Sequence, residues 1–89
     1  IAAICAAPIA LHQAGVLKDK QFTCYDGVEK QMTGGHYLKK IVVVDGHLIT
    51  SRGPATALTF AYELVDQLGG DSENLRIGML YRDVFEKNQ

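Results

Sequence analysis

Residues 1–15 read IAAICAAPIALHQAG, and the cysteine in that stretch decides the fold. The first four residues are short and apolar, readable as the end of a buried strand. Pro8 is tolerated in a first helical turn and Gly15 is a natural stop, so the spacing predicts a helix over residues 7–14. A strand that runs straight into a helix must turn at one residue, and Cys5 stands at that join with Ala3 and Ala7 two positions away on either side. One reading is a nucleophile elbow, in which small neighbours let strand and helix approach while the side chain projects above the sheet. There the unpaired N–H groups of the following helix would favour a thiolate. The other reading is a buried structural cysteine that packs as a small hydrophobe. The pattern alone leaves both open.

Outward from the elbow, the elements alternate. QFTCY (21–25) is a short strand candidate, and DGVEKQMTGG (26–35) is a turn-rich connection with room for one helical turn. KKIVVVDGHLITS (39–51) holds two β-branched runs around Asp45-Gly46, the strongest hairpin signal in the chain. Pro54 opens a helix whose residues Ala57, Leu58, Ala61, Leu64, Val65 and Leu68 recur at three- and four-residue steps until Gly69-Gly70. Residues 71–82 form a weaker last helix. Two amphipathic helices need more sheet than this, and no other strand is plainly the parallel partner of IAAI. The missing methionine and the start in mid-strand agree. The expectation is therefore the C-terminal part of a larger α/β domain, with the N-terminal half absent from residues 1–89.

Composition narrows the function. A chain of 89 residues, 47% hydrophobic and 21% charged, is one small globular domain at most. A net charge of −1 offers no footprint for nucleic acid or anionic membrane. The longest uncharged apolar run, residues 1–11, is too short to span a bilayer. Cys5 and Cys24 form neither a CxxC nor a disulfide framework, which favours a cytoplasmic, reducing compartment. No two of His12, His36 and His47 have metal-ligand spacing, so no metal is expected. His12 lies roughly 10 Å along the helix from Cys5, out of reach. His47 follows the hairpin turn and should be solvated, whereas His36, in GGHY, sits in a loop able to fold toward a pocket or to stay on the surface. Arg52 precedes a helix N-terminus, where the macrodipole disfavours a cation. That placement calls for an anion, from the absent half or from a substrate, or else for an exposed ion pair. Cys24 reads as strand packing, with a resolving role toward Cys5 depending on distance.

The stretches AAICAAPIAL, TCYDG and VVVDGHLITSRGPATALTFAYELVDQL resemble, in order and spacing, the C-terminal half of the DJ-1/ThiJ/PfpI superfamily, in its DJ-1-like branch. The resemblance covers nearly the whole chain, and the elbow with TSRGPATA is its specific part. It implies a flavodoxin-like three-layer α/β sandwich of the class I glutamine amidotransferase type, a homodimer, and a reactive cysteine at Cys5. The absent half would supply a glutamate beside the sulfur and a glycine N–H for the oxyanion. Protease-like members carry histidine directly after the cysteine, where this chain has Ala6. Many DJ-1-like members carry histidine at the position that aligns with Tyr25. The site implied is thus Cys5 plus an absent carboxylate, with the Ala6 N–H steadying an oxyanion and Tyr25 orienting. A cofactor-independent glyoxalase or deglycase acting on small reactive aldehydes follows from the resemblance. A redox sensor or chaperone with Cys5 oxidised to the sulfinic state, active in oxidative stress, is the alternative, and a PfpI-type cysteine peptidase is a third reading weakened by Ala6.

Overall fold

The chain is described by a computed structural model over residues 1–86. In chain order it forms β1 (Ala2–Ile4), α1 (Pro8–Gln13), β2 (Gln21–Phe22), β3 (His36–Tyr37), β4 (Val42–Asp45), β5 (Leu48–Ser51), α2 (Ala57–Gln67) and α3 (Glu73–Gly78). A 3-10 turn at Val28–Gln31 fills the connection between β2 and β3, a second at Pro54–Thr56 leads into α2, and a π-helical turn covers Arg82–Glu86. Strand 21–25 is shorter than its sequence suggests, since only Gln21–Phe22 pair with a neighbour strand. His36 lies in a strand rather than a loop, in parallel register with Gln21.

The Asp45-Gly46 signal is realised as an antiparallel hairpin with Asp45 opposite Leu48, so Gly46 and His47 are its two loop residues. His47 is exposed and belongs to the turn itself. Gly46 alone of that pair has a positive φ, +60°, as a type II′ turn requires. The parallel partner of β1 is β5, the second hairpin strand, and the sheet order is β1-β5-β4. The sequence concealed this pairing because LITS ends on two hydroxyl residues and is not the continuous apolar run of a parallel strand. All four residues are in fact buried. Thr50 Oγ1 accepts the Thr23 N–H at 2.9 Å and Ser51 Oγ donates to the Ile41 carbonyl at 2.6 Å, so neither hydroxyl is stranded without a partner.

The apolar core sits beside this sheet, where Leu17, Phe22, Cys24, Met32 and Leu48 are buried and Ile9, Leu11, Val16, Val28 and Tyr37 pack against them. Helix α2 lies on β4 and β5. It ends in a Schellman motif: the Gly69 N–H bonds the Asp66 carbonyl and the Gly70 N–H the Val65 carbonyl, with Gly69 at φ +91°. The Asp66 carboxylate then receives the Ser72 N–H and hydroxyl, each at 2.9 Å, which fixes the start of α3. Arg76 on α3 lies over the Tyr62 ring, 4.8 Å from its centroid, and pins that last helix to α2.

Gly35 is the tightest backbone approach in this core. A Cβ there would stand 2.8 Å from the Leu17 carbonyl oxygen and 2.8 Å from Phe22 Cε1. Gly35→Ala should therefore destabilise the protein by about 1–3 kcal/mol through overpacking. Urea denaturation measures this, and an unchanged midpoint would show that Phe22 moves aside freely.

Candidate functional site

Cys5 has φ +65°, in the left-handed region that non-glycine residues seldom occupy. The conformation costs about 1–2 kcal/mol for a residue with a Cβ. Two main-chain hydrogen bonds hold it there. The Cys5 N–H donates to the Ser51 carbonyl at 3.1 Å, and the Cys5 carbonyl accepts the Tyr25 N–H at 2.8 Å. At about 0.5–1.5 kcal/mol each, the pair offsets the strain, whereas either alone would barely do so. The chain thereafter bends at once: the Ala7 N–H bonds the Ile4 carbonyl at 3.1 Å and Pro8 begins α1. Ala6 is exposed, and among the described residues its N–H makes no hydrogen bond. Cys5 is half-buried and its thiol is free.

The segments that clamp Cys5 also line a cavity, to which Cys5 itself contributes no lining residue. Tyr25, Asp26, Arg52 and residues 53–56 enclose an open cavity of about 320 Å³. Tyr25 is half exposed, and its ring lies against Gly53, where a Cβ would come within 3.4 Å of Tyr25 Cδ1. Its phenol makes no hydrogen bond among the described residues, so Tyr25 reaches the elbow through its main chain. Thr56 Oγ1 accepts the N–H groups of Arg52 at 3.3 Å and Gly53 at 3.1 Å, which orders the turn into α2.

Arg52 has its anion within this chain. Its guanidinium donates to Asp26 Oδ1, and Lys39 Nζ stands 3.7 Å from Asp26 Oδ2. The hydrogen bond from Arg52 holds the Asp26 carboxyl below the usual carboxylate range. Of the alternatives read from the sequence, the ion pair is the one present among the described residues. Asp26 was not singled out in the sequence. The signal available is its position directly after Tyr25, in a segment that must lie beside β5 once both grip Cys5.

The remaining candidates lie elsewhere. Cys24 is fully buried in the core, and burial, with the Glu29 carboxylate adding to it, pushes its thiol up to about 11. It is thus held as a protonated packing residue. His36 is exposed, and its N–H bonds the Lys20 carbonyl at 2.8 Å in the β2–β3 pair. It lines neither this cavity nor a second one of about 360 Å³ between Ile1, His47 and Leu68. Among the described residues no three His, Cys, Asp or Glu side chains converge to hold a metal ion. None of the described helices is long and apolar enough to cross a membrane.

Residues 1–67 match the family model described as DJ-1/PfpI family. The chain belongs to that family. Protein dj-1beta of Drosophila melanogaster is 47% identical over 72 residues, covering 79% of this chain and 38% of that protein. The glutathione-independent glyoxalase DJR-1.2 of Caenorhabditis elegans is 43% identical over 72 residues, with the same 79% and 38% covered. The crystal structure of Drosophila melanogaster DJ-1beta superposes with a TM-score of 0.84 at 43% identity, over 90% of this chain and 45% of that one. The chain thus has the flavodoxin-like α/β fold of DJ-1/PfpI domains and spans less than half the length of these relatives.

The two thiols should behave differently. With iodoacetamide near neutral pH, Cys5 should be alkylated well before Cys24, read by peptide mass spectrometry; equal labelling would place Cys5 among the inert packing cysteines. Cys24 also makes stability pH-dependent. Its thiol ionises near 9.0 when unfolded and at about 11 in the fold, so its contribution is complete below pH 9 and is lost as pH rises through 11. Cys24→Ala should flatten that loss in denaturant titrations across the same window, and an unchanged slope would assign the loss to other groups.

Proposed function

We propose that this chain is the elbow-bearing part of a DJ-1/PfpI domain and that the complete domain is a cofactor-independent glyoxalase. The observation that carries this reading is the left-handed backbone of Cys5, clamped on both of its peptide groups, since a packing cysteine needs no such conformation. The outer edge of β1, the end strand of the β1-β5-β4 sheet and without a partner strand among the described residues, supports completion by a further strand from outside residues 1–89. Named glyoxalases among the relatives support the activity.

In the proposed reaction the Cys5 thiolate adds to the aldehyde carbon of a 1,2-dicarbonyl. A C–S bond forms, and the carbonyl π electrons move onto oxygen, where the Ala6 N–H steadies the charge. A carboxylate from the rest of the domain moves the proton from the former aldehyde carbon to its neighbour, which leaves a thioester. Water then cleaves the C–S bond and returns the thiolate, so methylglyoxal plus water gives lactate with no net redox change. Ala6 directly after the cysteine provides no adjacent base for peptide hydrolysis.

The full-length protein should convert methylglyoxal to lactate without added glutathione, metal or nicotinamide. Cys5→Ala should abolish this, because the hemithioacetal cannot form. Tyr25→Phe should cost less than about tenfold, since the tyrosine grips the elbow by its main chain and not by its hydroxyl. Full activity in Cys5→Ala would end the enzyme reading. Absence of turnover in the wild type, with clean sulfinic oxidation at Cys5, would replace it by redox sensing.

A further inference from the structure

The ion pair beside the elbow has a consequence for what the site admits. Arg52 and Asp26 each follow directly on a residue bonded to the Cys5 peptide, Ser51 and Tyr25 respectively, so the ion pair is carried by the two segments that hold the elbow. A lone arginine there would attract anions. Here Asp26 occupies it, with the Arg52 side chain the more buried partner at 28% exposure against 55%. Lys39 adds a positive charge on the outer side of Asp26. Glu29, whose Oε1 accepts the Gly27 N–H at 3.1 Å, adds a negative one from the following turn. Arg52 and Asp26 line the cavity while Lys39 and Glu29 stand behind that lining, and the four charges cancel.

We propose that Asp26 is a specificity-determining residue that neutralises Arg52, so that the site beside Cys5 takes uncharged dicarbonyls and rejects carboxylate-bearing 2-oxoacids. The inference rests on the proposed role of Cys5. A carboxylate entering this cavity gives up hydration and gains no net positive field in exchange, while the nucleophilic sulfur itself repels it. An uncharged aldehyde meets neither cost. Asp26 touches no reacting atom in this scheme and acts through Arg52, as a positioning residue.

A pair of thiol reagents tests this apart from turnover. Iodoacetate and iodoacetamide alkylate sulfur by the same displacement and differ in one negative charge. Their rate ratio at Cys5 in the full-length protein, followed by peptide mass spectrometry, reads the field at the sulfur. Asp26→Asn should raise the iodoacetate-to-iodoacetamide ratio by about three- to tenfold, with the gain shrinking at high salt. Arg52→Gln should lower the ratio, and the double variant should return it toward wild type. Asp26→Glu should keep the wild-type ratio, which a purely architectural role for the aspartate would not require. In turnover, Asp26→Asn should raise the specificity constant for glyoxylate relative to methylglyoxal. An unchanged alkylation ratio in both Asp26→Asn and Arg52→Gln, with Cys5 still reactive, overturns the proposal. Dicarbonyl turnover that survives Cys5→Ala overturns the glyoxalase reading instead and leaves the ratio as a measure of charge at the sulfur.

Discussion

The structure depends on two hydrogen bonds to one peptide unit pair, those from Cys5 to the Ser51 carbonyl and from Tyr25 to the Cys5 carbonyl. They fix a residue in a conformation it would otherwise leave, and they join three chain segments in doing so. β1 arrives, β5 receives its N–H, and the segment after β2 caps its carbonyl. Because the strain at Cys5 and the gain from two bonds are of similar size, the elbow persists only when all three segments are in place. The parallel register of Ala2 with Ile49, Ala3 with Thr50 and Ile4 with Ser51 puts the Ser51 carbonyl within reach.

Much of this was legible in the residues. Ala3 and Ala7 around Cys5 announced a close strand-to-helix turn, Asp45-Gly46 announced the hairpin, and Gly69-Gly70 announced the end of α2. What stayed hidden has a common cause: it rests on polar groups paired across long separations. The burial of Thr50 and Ser51 follows from partners at Thr23 and Ile41, which no local periodicity encodes. The pairing of Arg52 with Asp26 likewise joins two segments that lie far apart in sequence and meet only in the fold. The alternation of charge and apolarity along a chain tells where a side chain can face, and it is silent about which distant partner it meets.

The same principle separates the two cysteines. Composition treats them alike, yet one follows the end of β1, half-buried, and the other lies among Leu17, Phe22, Met32 and Leu48. Burial pushes the ionisation of the inner thiol to higher pH, and a strained backbone presents the outer one. Tyr25, adjacent to the buried cysteine in sequence, is the residue that connects the two environments. Its N–H reaches the elbow while its neighbour Cys24 anchors the segment in the core. The core thereby determines where the elbow carbonyl finds its donor.

The parallel pairing of β1 with β5 also sets an order of assembly. The β4–β5 hairpin closes over a two-residue loop and is the kind of structure that forms in about 1–10 μs. The elbow can close only afterwards, because its acceptor, the Ser51 carbonyl, belongs to a finished hairpin strand far along the chain. On a ribosome, Cys5 therefore emerges as an ordinary relaxed cysteine and takes its left-handed form only after synthesis has passed Ser51. The geometry that presents the thiol is made by the last of the three described strands of this sheet in chain order, so the nascent chain does not present it before that strand is made.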